Sequence, residues 1–180
     1  MGQNIDLIEK AIIFAQEKHK GQLRKDNTPY ITHPLRVSGI VSKFKKSHKI
    51  DELIAAAILH DTLEDTDTGI PELIENFGEF VTLLVVELTS DRFKTQSVGK
   101  AHYLSEKMAS SKKISSWALI IKLADRLDNV SDLSNANPEF AKKYKKETEE
   151  ILDYLEKNRN LSETHKELIK EIRKKLKEIN

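Results

Sequence analysis

The chain is predicted to be an all-α single domain spanning residues 1–180 with roughly eight helices. Three observations carry this. Apolar residues recur at spacings of three and four through most of the chain. The last forty residues are two charged, amphipathic stretches of helical period. The one strongly β-branched run, Val81 to Leu88, is flanked on both sides by segments that read as helix.

Taken in order, Ile5, Ile8, Ile12, Ile13 and Phe14 form a stripe that predicts a helix from about Asp6 to His19, interrupted by Gly21. A polar, flexible loop follows through Arg24-Lys-Asp-Asn-Thr-Pro-Tyr30. Thr32-His-Pro34 reads as a helix start, with Thr32 as N-cap and Pro34 in the first turn, leading through Leu35, Val37, Ile40, Val41 and Phe44. Asp51 is placed as cap of a third helix that ends at His60-Asp61. Thr66 to Pro71 is turn chemistry, and a short helix through Leu73, Ile74 and Phe77 stops at Gly78. Val81 to Leu88 is assigned to a buried helix, and Lys94 to Met108 to a weakly amphipathic one. Trp117 to Leu133 carries a second apolar run, followed after Pro138 by helices at about Glu139–Arg159 and Ser162–Ile179.

Composition narrows the function classes. The 30 basic and 29 acidic residues leave a formal charge of +1, so no global field draws the chain to nucleic acid or to a membrane. The clusters Lys142-Lys-Tyr-Lys-Lys146 and Arg173-Lys-Lys-Leu-Lys177 are interleaved with Glu147, Glu149, Glu150, Glu171 and Glu178, and read as solvated helix faces. There is no cysteine, which excludes disulfides and thiolate metal sites. The first residues lack a secretory signal and a myristoylation pattern, and no apolar run approaches the roughly 20 residues of a membrane span. A cytoplasmic location is expected. The C-terminal helices either pack internally or form a homodimer seam; periodicity does not decide between them.

Chemistry is concentrated at a few positions. His60-Asp61 closes the apolar run Leu53 to Leu59, where burial alone gives no reason for an imidazole beside a carboxylate. Glu64 and Asp65 follow one turn on. His33 opens one helix and Asp125 follows the apolar part of another. Singly, His33 is a turn residue, Asp125 a surface or cap carboxylate, and Glu64-Asp65 a helix-end acidic pair. Together, two imidazoles and two carboxylates at buried helix ends suit Mn, Fe, Co or Zn. Neighbouring residues on a helix point about 100° apart, so His60 and Asp61 share a metal only where the helix frays or tightens. His19, His48, His102 and His165 have no paired acid at telling spacing and are placed at the surface or its boundary.

The segments Lys20-Gly-Gln-Leu-Arg-Lys25, Pro29-Tyr-Ile-Thr-His-Pro34, Leu59-His-Asp-Thr-Leu-Glu-Asp-Thr66 and Ile121-Lys-Leu-Ala-Asp-Arg-Leu-Asp-Asn129 together resemble the HD-domain hydrolases of the RelA/SpoT type. The resemblance runs from about Ala11 to Leu155, and the length suggests a stand-alone alarmone hydrolase. It implies an all-helical HD domain with one divalent metal, usually manganese, and removal of the 3′-pyrophosphate from guanosine tetra- or pentaphosphate. Matched by position, it implies His33, His60, Asp61 and Asp125 as metal ligands, with Glu64 and Asp65 handling water activation and proton transfer. It also implies Arg24 and Lys25 near the nucleotide and Asn129 in the nucleoside pocket. Tyr30 either stacks on a base or packs the loop against the core. The chain departs from the pattern at Asp128, where histidine is usual, and at Val130-Ser-Asp-Leu133, which leaves nucleotide preference open. The competing readings are an HD phosphohydrolase acting on NADPH or a nucleoside monophosphate, and a non-catalytic alarmone sensor.

Overall fold

Helical periodicity along the chain is realised as helix along the chain. The computed structural model describes residues 6–179, and Ile5 of the predicted first stripe lies outside them. Among the described residues the helices are α1 (Leu7–Lys18), α2 (Thr32–Phe44), α3 (Ile50–Leu59), α4 (Thr62–Asp65), α5 (Ile70–Leu88), α6 (Arg92–Val98), α7 (Lys100–Ala109), α8 (Ser116–Ser131), α9 (Pro138–Asn158) and α10 (Glu163–Lys177), with a 3-10 turn at Asp132–Asn135. No strand forms among them beyond an isolated bridge between Leu23 and Pro29. The all-α class follows. The segments the sequence did not separate are the four-residue α4 and the break at Gly99 that divides α6 from α7.

The chain divides into two compact units, Met1–Thr89 and Ser90–Asn180. At the centre of the first lies α3, packed by α1, α2 and α5. It is buried nearly all round because Ala55, Ala56 and Ala57 offer small side chains in three successive directions, while Leu53, Ile58 and Leu59 fill the spaces between neighbours. Facing it are Ala11 and Ala15 of α1, Val37 and Val41 of α2, and Leu73, Phe77, Val81 and Val85 of α5. The buried face of α1 therefore runs through Ala11 and Ala15, not through Ile13, which is 51% exposed.

Several caps differ from expectation. Asp6 caps α1, accepting from the Ile8 amide at 3.3 Å. Thr32 is the first residue of α2 and not its cap: its hydroxyl donates to the Pro29 carbonyl at 2.8 Å. Asp51 lies inside the first turn of α3, where a carboxylate favours the positive end of the helix dipole without bonding to it. The helix through Phe77 breaks at Gly78, whose φ of +77° kinks α5 before it resumes. The β-branched run after it is helical, with Val81, Leu84, Val85 and Leu88 inward and Leu83 outward.

In the second unit α10 packs on α8 and α9 packs on α7, so the apolar faces of both C-terminal helices turn inward on Ile151, Leu152, Leu155, Leu168, Ile169 and Ile172. His165 is buried, contrary to its expected boundary position. With Ser162 it forms a capping box: its Nδ1 accepts from the Ser162 amide, which leaves Nε2 to donate to the Ser116 carbonyl at 3.0 Å. Arg159 reaches across to the Met108 and Ile114 carbonyls, satisfying acceptors at and beyond the end of α7.

Two glycines with open space around the missing side chain give opposite expectations. At Gly39, exposed within α2, an added methyl meets no atom within 4 Å, so Gly39→Ala is expected to stabilise by about 0.5–1 kcal/mol. At Gly78 the space is equally open but φ is +77°, so Gly78→Ala is expected to cost about 1–2 kcal/mol from backbone strain alone. Urea unfolding of both variants checks the signs.

Candidate metal centre

The site in the first unit is built where the apolar run of α3 stops. Leu59 is its last helical residue, and the chain turns through His60 and Asp61 before α4 begins. The Thr62 hydroxyl donates to the Leu59 carbonyl at 2.7 Å, and the Asp65 amide donates to the Asp61 carbonyl at 2.9 Å, closing this turn. The turn brings the two adjacent side chains together: His60 Nε2 lies 2.9 Å from Asp61 Oδ2. His33, in the first turn of α2, places its Nε2 3.7 Å from the same oxygen. Both imidazoles are 2% exposed, and their ring centroids are 5.2 Å apart.

His60 Nδ1 is 2.7 Å from the Ala57 carbonyl, which can only accept, so Nδ1 donates and Nε2 is the ring nitrogen that faces Asp61. An imidazole nitrogen and a carboxylate oxygen at 2.9 Å are compatible when a proton or a metal cation lies between them. His33, His60 and Asp61 offer one ligand atom each, all within 4.8 Å of one another. Two nitrogens and one oxygen of this kind fit a divalent transition metal, and the Ala57 carbonyl supplies the outer support that fixes a ligating imidazole.

The remaining first-unit residues stand between α1 and α2 and on α4. Tyr30 precedes α2, and its hydroxyl donates to Asp61 Oδ2 at 2.6 Å. Glu64 is half-buried and Asp65 exposed, both on α4. Arg24 and Lys25 stand on a loop that is well fastened, in contrast to the flexible one expected. The Arg24 amide donates to Thr28, the Asn27 amide to Arg24 and the Tyr30 amide to Gln22, while Asn27 takes the left-handed conformation at φ 64°. Asp26 accepts from the Thr28 hydroxyl at 2.7 Å and its amide at 3.0 Å, and these bonds hold the Asp26 carboxyl below the usual range. The run Asp-Asn-Thr-Pro is a composition for turns, and here it builds one.

Asp125, Asp128 and Asn129 belong to α8 in the second unit. Asp125 is 8% exposed with both oxygens engaged: Asn129 Nδ2 donates to Oδ1 at 2.6 Å, and Lys122 Nζ lies 3.0 Å from Oδ2. Asp128 is buried as well. A buried carboxylate bonded at both oxygens is held in one orientation.

Two residues escaped the sequence reading. His19 is buried, with Nδ1 2.8 Å from Gln22 Oε1 and its ring 4.7 Å from that of Tyr30. Gln22 donates in turn to the Asp65 carbonyl at 2.9 Å. The signal was available: His19 stands four residues after Ala15 and eight after Ala11, on the buried face of α1.

Residues 11–160 match the family model described as HD domain. The guanosine-3′,5′-bis(diphosphate) 3′-pyrophosphohydrolase of Aquifex aeolicus is 42% identical over 155 residues, which are 83% of this chain but 21% of that protein. The chain thus spans about a fifth of that relative's length. The guanosine-3′,5′-bis(diphosphate) 3′-pyrophosphohydrolase MESH1 of Danio rerio is 40% identical over 132 residues, covering 72% of this chain and 71% of that protein. A solved structure, described as a metazoan ortholog of SpoT that hydrolyzes ppGpp and plays a role in starvation responses, superposes with a TM-score of 0.76 at 28% identity over 97% of this chain and 98% of that one. On these likenesses, in sequence and in fold, the chain belongs to the HD-domain family, alongside the guanosine-3′,5′-bis(diphosphate) 3′-pyrophosphohydrolases.

Proposed function

We propose that this chain is a metal-dependent hydrolase that removes the 3′-pyrophosphate of guanosine tetra- or pentaphosphate, giving GDP or GTP and pyrophosphate. The observation that carries the reading is the meeting of His33, His60 and Asp61 at the end of α3. The relatives named for this reaction support the choice of substrate. The family match crosses from the first unit into the second, which supports treating 1–180 as one HD-type domain.

In this reading His33, His60, Asp61 and Asp125 hold one divalent cation, with Mn²⁺ as the proposed ion. Such a cation lowers the pKa of water and offsets charge building on the attacked phosphate. Water attacks the phosphorus joined to the 3′ oxygen, and that phosphorus–oxygen bond breaks. Pyrophosphate leaves carrying the water's oxygen, and the 3′ oxygen takes a proton to become a hydroxyl. Glu64 and Asp65 are the groups that take the proton from water and return one to the leaving oxygen. Arg24 and Lys25 offset the substrate's negative charge from the fastened loop, while Tyr30 and Asn129 complete the nucleotide-facing set.

The partner is then a small nucleotide, and neither nucleic acid nor membrane is needed. The basic runs of α9 and α10 support this, because acids on the same helices and on neighbouring turns answer them. Lys143 pairs with Glu147 and Lys146 with Glu150 at 3.9 Å, and Arg173 meets Asp153 at 2.7 Å. No helix among the described residues is long and apolar enough to cross a membrane. A cytoplasmic location belongs to the same proposal.

With Mn²⁺ and guanosine tetraphosphate, chromatography should find GDP and intact pyrophosphate, and a chelator should abolish turnover. Orthophosphate as the only primary product, or binding without turnover, would contradict the assignment. Asp125→Ala should lower turnover by about a hundredfold or more, with weakened Mn²⁺ binding. Glu64→Gln and Asp65→Asn should each lower kcat by about 10²–10⁴ while retaining Mn²⁺ affinity, which separates proton transfer from metal holding in steady-state kinetics.

A further inference from the structure

The end of α1 and the loop after it are bonded to the α3–α4 turn, to the end of α4 and to the chain beyond it. Lys18 Nζ reaches Asp67 at 3.1 Å and Glu72 at 3.0 Å, and the Glu72 and Asp67 carboxylates hold its ammonium pKa above the usual lysine range. Gln22 Nε2 donates to the Asp65 carbonyl at 2.9 Å. The Tyr30 hydroxyl donates to Asp61 Oδ2 at 2.6 Å. The last two meet at His19, whose Nδ1 bonds Gln22 Oε1 and whose ring lies at 32° to that of Tyr30 with centroids 4.7 Å apart.

The atoms define the direction of each bond. Gln22 gives its amide hydrogen to Asp65, so its oxygen faces His19 and accepts from Nδ1. His19 Nε2 is buried and without a hydrogen bond among the described residues. What His19 offers its neighbours is its Nδ1–H, given to Gln22, and its ring face, set against Tyr30. The Tyr30 hydrogen occupies one lone pair of Asp61 Oδ2, and the oxygen carries a second that can serve a cation. This fixes the carboxylate's rotation about its own axis and keeps the same oxygen toward both imidazoles.

We propose that Tyr30 and Gln22, both set by His19, are positioning residues: Tyr30 aims the Asp61 carboxylate at the metal, and Gln22 fixes the backbone at Asp65. The inference rests on the metal-dependent reading above. It assigns Tyr30 a task through Asp61 that a contact with substrate alone would not produce. It also makes the two arms separable, because one ends on a proposed ligand and the other on the acidic pair.

The test uses the full chain, wild type beside Tyr30→Phe and Gln22→Met, each close in size to the residue replaced. Calorimetric titration with Mn²⁺ alone, thermal melting in EDTA, and kcat and KM for guanosine tetraphosphate at saturating Mn²⁺ are compared. Tyr30→Phe is expected to weaken Mn²⁺ binding by about ten- to a hundredfold with an unchanged melting temperature in EDTA. Gln22→Met is expected to lower kcat by about ten- to a hundredfold, with KM and Mn²⁺ affinity kept. Wild-type Mn²⁺ affinity in Tyr30→Phe, with only KM raised, would make Tyr30 a substrate contact and overturn the proposal. A lower melting temperature in EDTA with affinity and kcat unchanged would make both residues packing elements and overturn it equally. If the wild type binds Mn²⁺ but does not turn over the nucleotide, the substrate assignment fails while the Tyr30 arm still decides. If the wild type binds no Mn²⁺, both readings fall.

Discussion

Everything in the first unit is arranged around one electrostatic constraint: a single carboxylate oxygen, Asp61 Oδ2, faces two buried imidazole nitrogens at 2.9 and 3.7 Å. In water such a group would be a small matter. Behind the apolar wall of α3, where Ala57, Ile58 and Leu59 are at most 1% exposed, a buried carboxylate beside two imidazoles requires compensating positive charge, which the proposed cation would supply. The helix must end at Leu59 for this to occur, since a continuing helix would direct His60 and Asp61 to different faces. The turn that ends it also starts α4, so His60, Asp61 and the acidic pair Glu64-Asp65 share one corner of the chain.

The legible part of this arrangement was the part written in local pattern. The apolar run ending abruptly at His60-Asp61 announced a buried helix whose last turn does something other than pack. The β-branched segment Val81 to Leu88 could be assigned to helix because its neighbours left no strand to pair with it. His33 became telling only beside His60 and Asp61, and the structure brings those three within 4.8 Å.

What stayed illegible depends on side chains reaching across the fold. Thr32 and Asp51 have the chemistry of caps, yet Thr32 bonds backward to Pro29 and Asp51 lies one position too late. Ile13 satisfies the apolar rule but faces outward, because the small Ala11 and Ala15 are what let α1 approach α3 closely. The loop from Arg24 to Tyr30 looked loose because its residues are polar. Those same residues close it, with Asp26 and Thr28 bonding to each other and Asn27 adopting a positive φ. His19 passed as a boundary residue since its partners, Gln22 and Tyr30, are a turn and a loop away.

The most direct test of a shared cation is crystallographic. A crystal of the chain grown with Mn²⁺ and measured for anomalous scattering should show one strong peak within about 2.0–2.3 Å of His33 Nε2, His60 Nε2 and an Asp61 carboxylate oxygen. A peak elsewhere, or none at a concentration that supports turnover, would contradict the account.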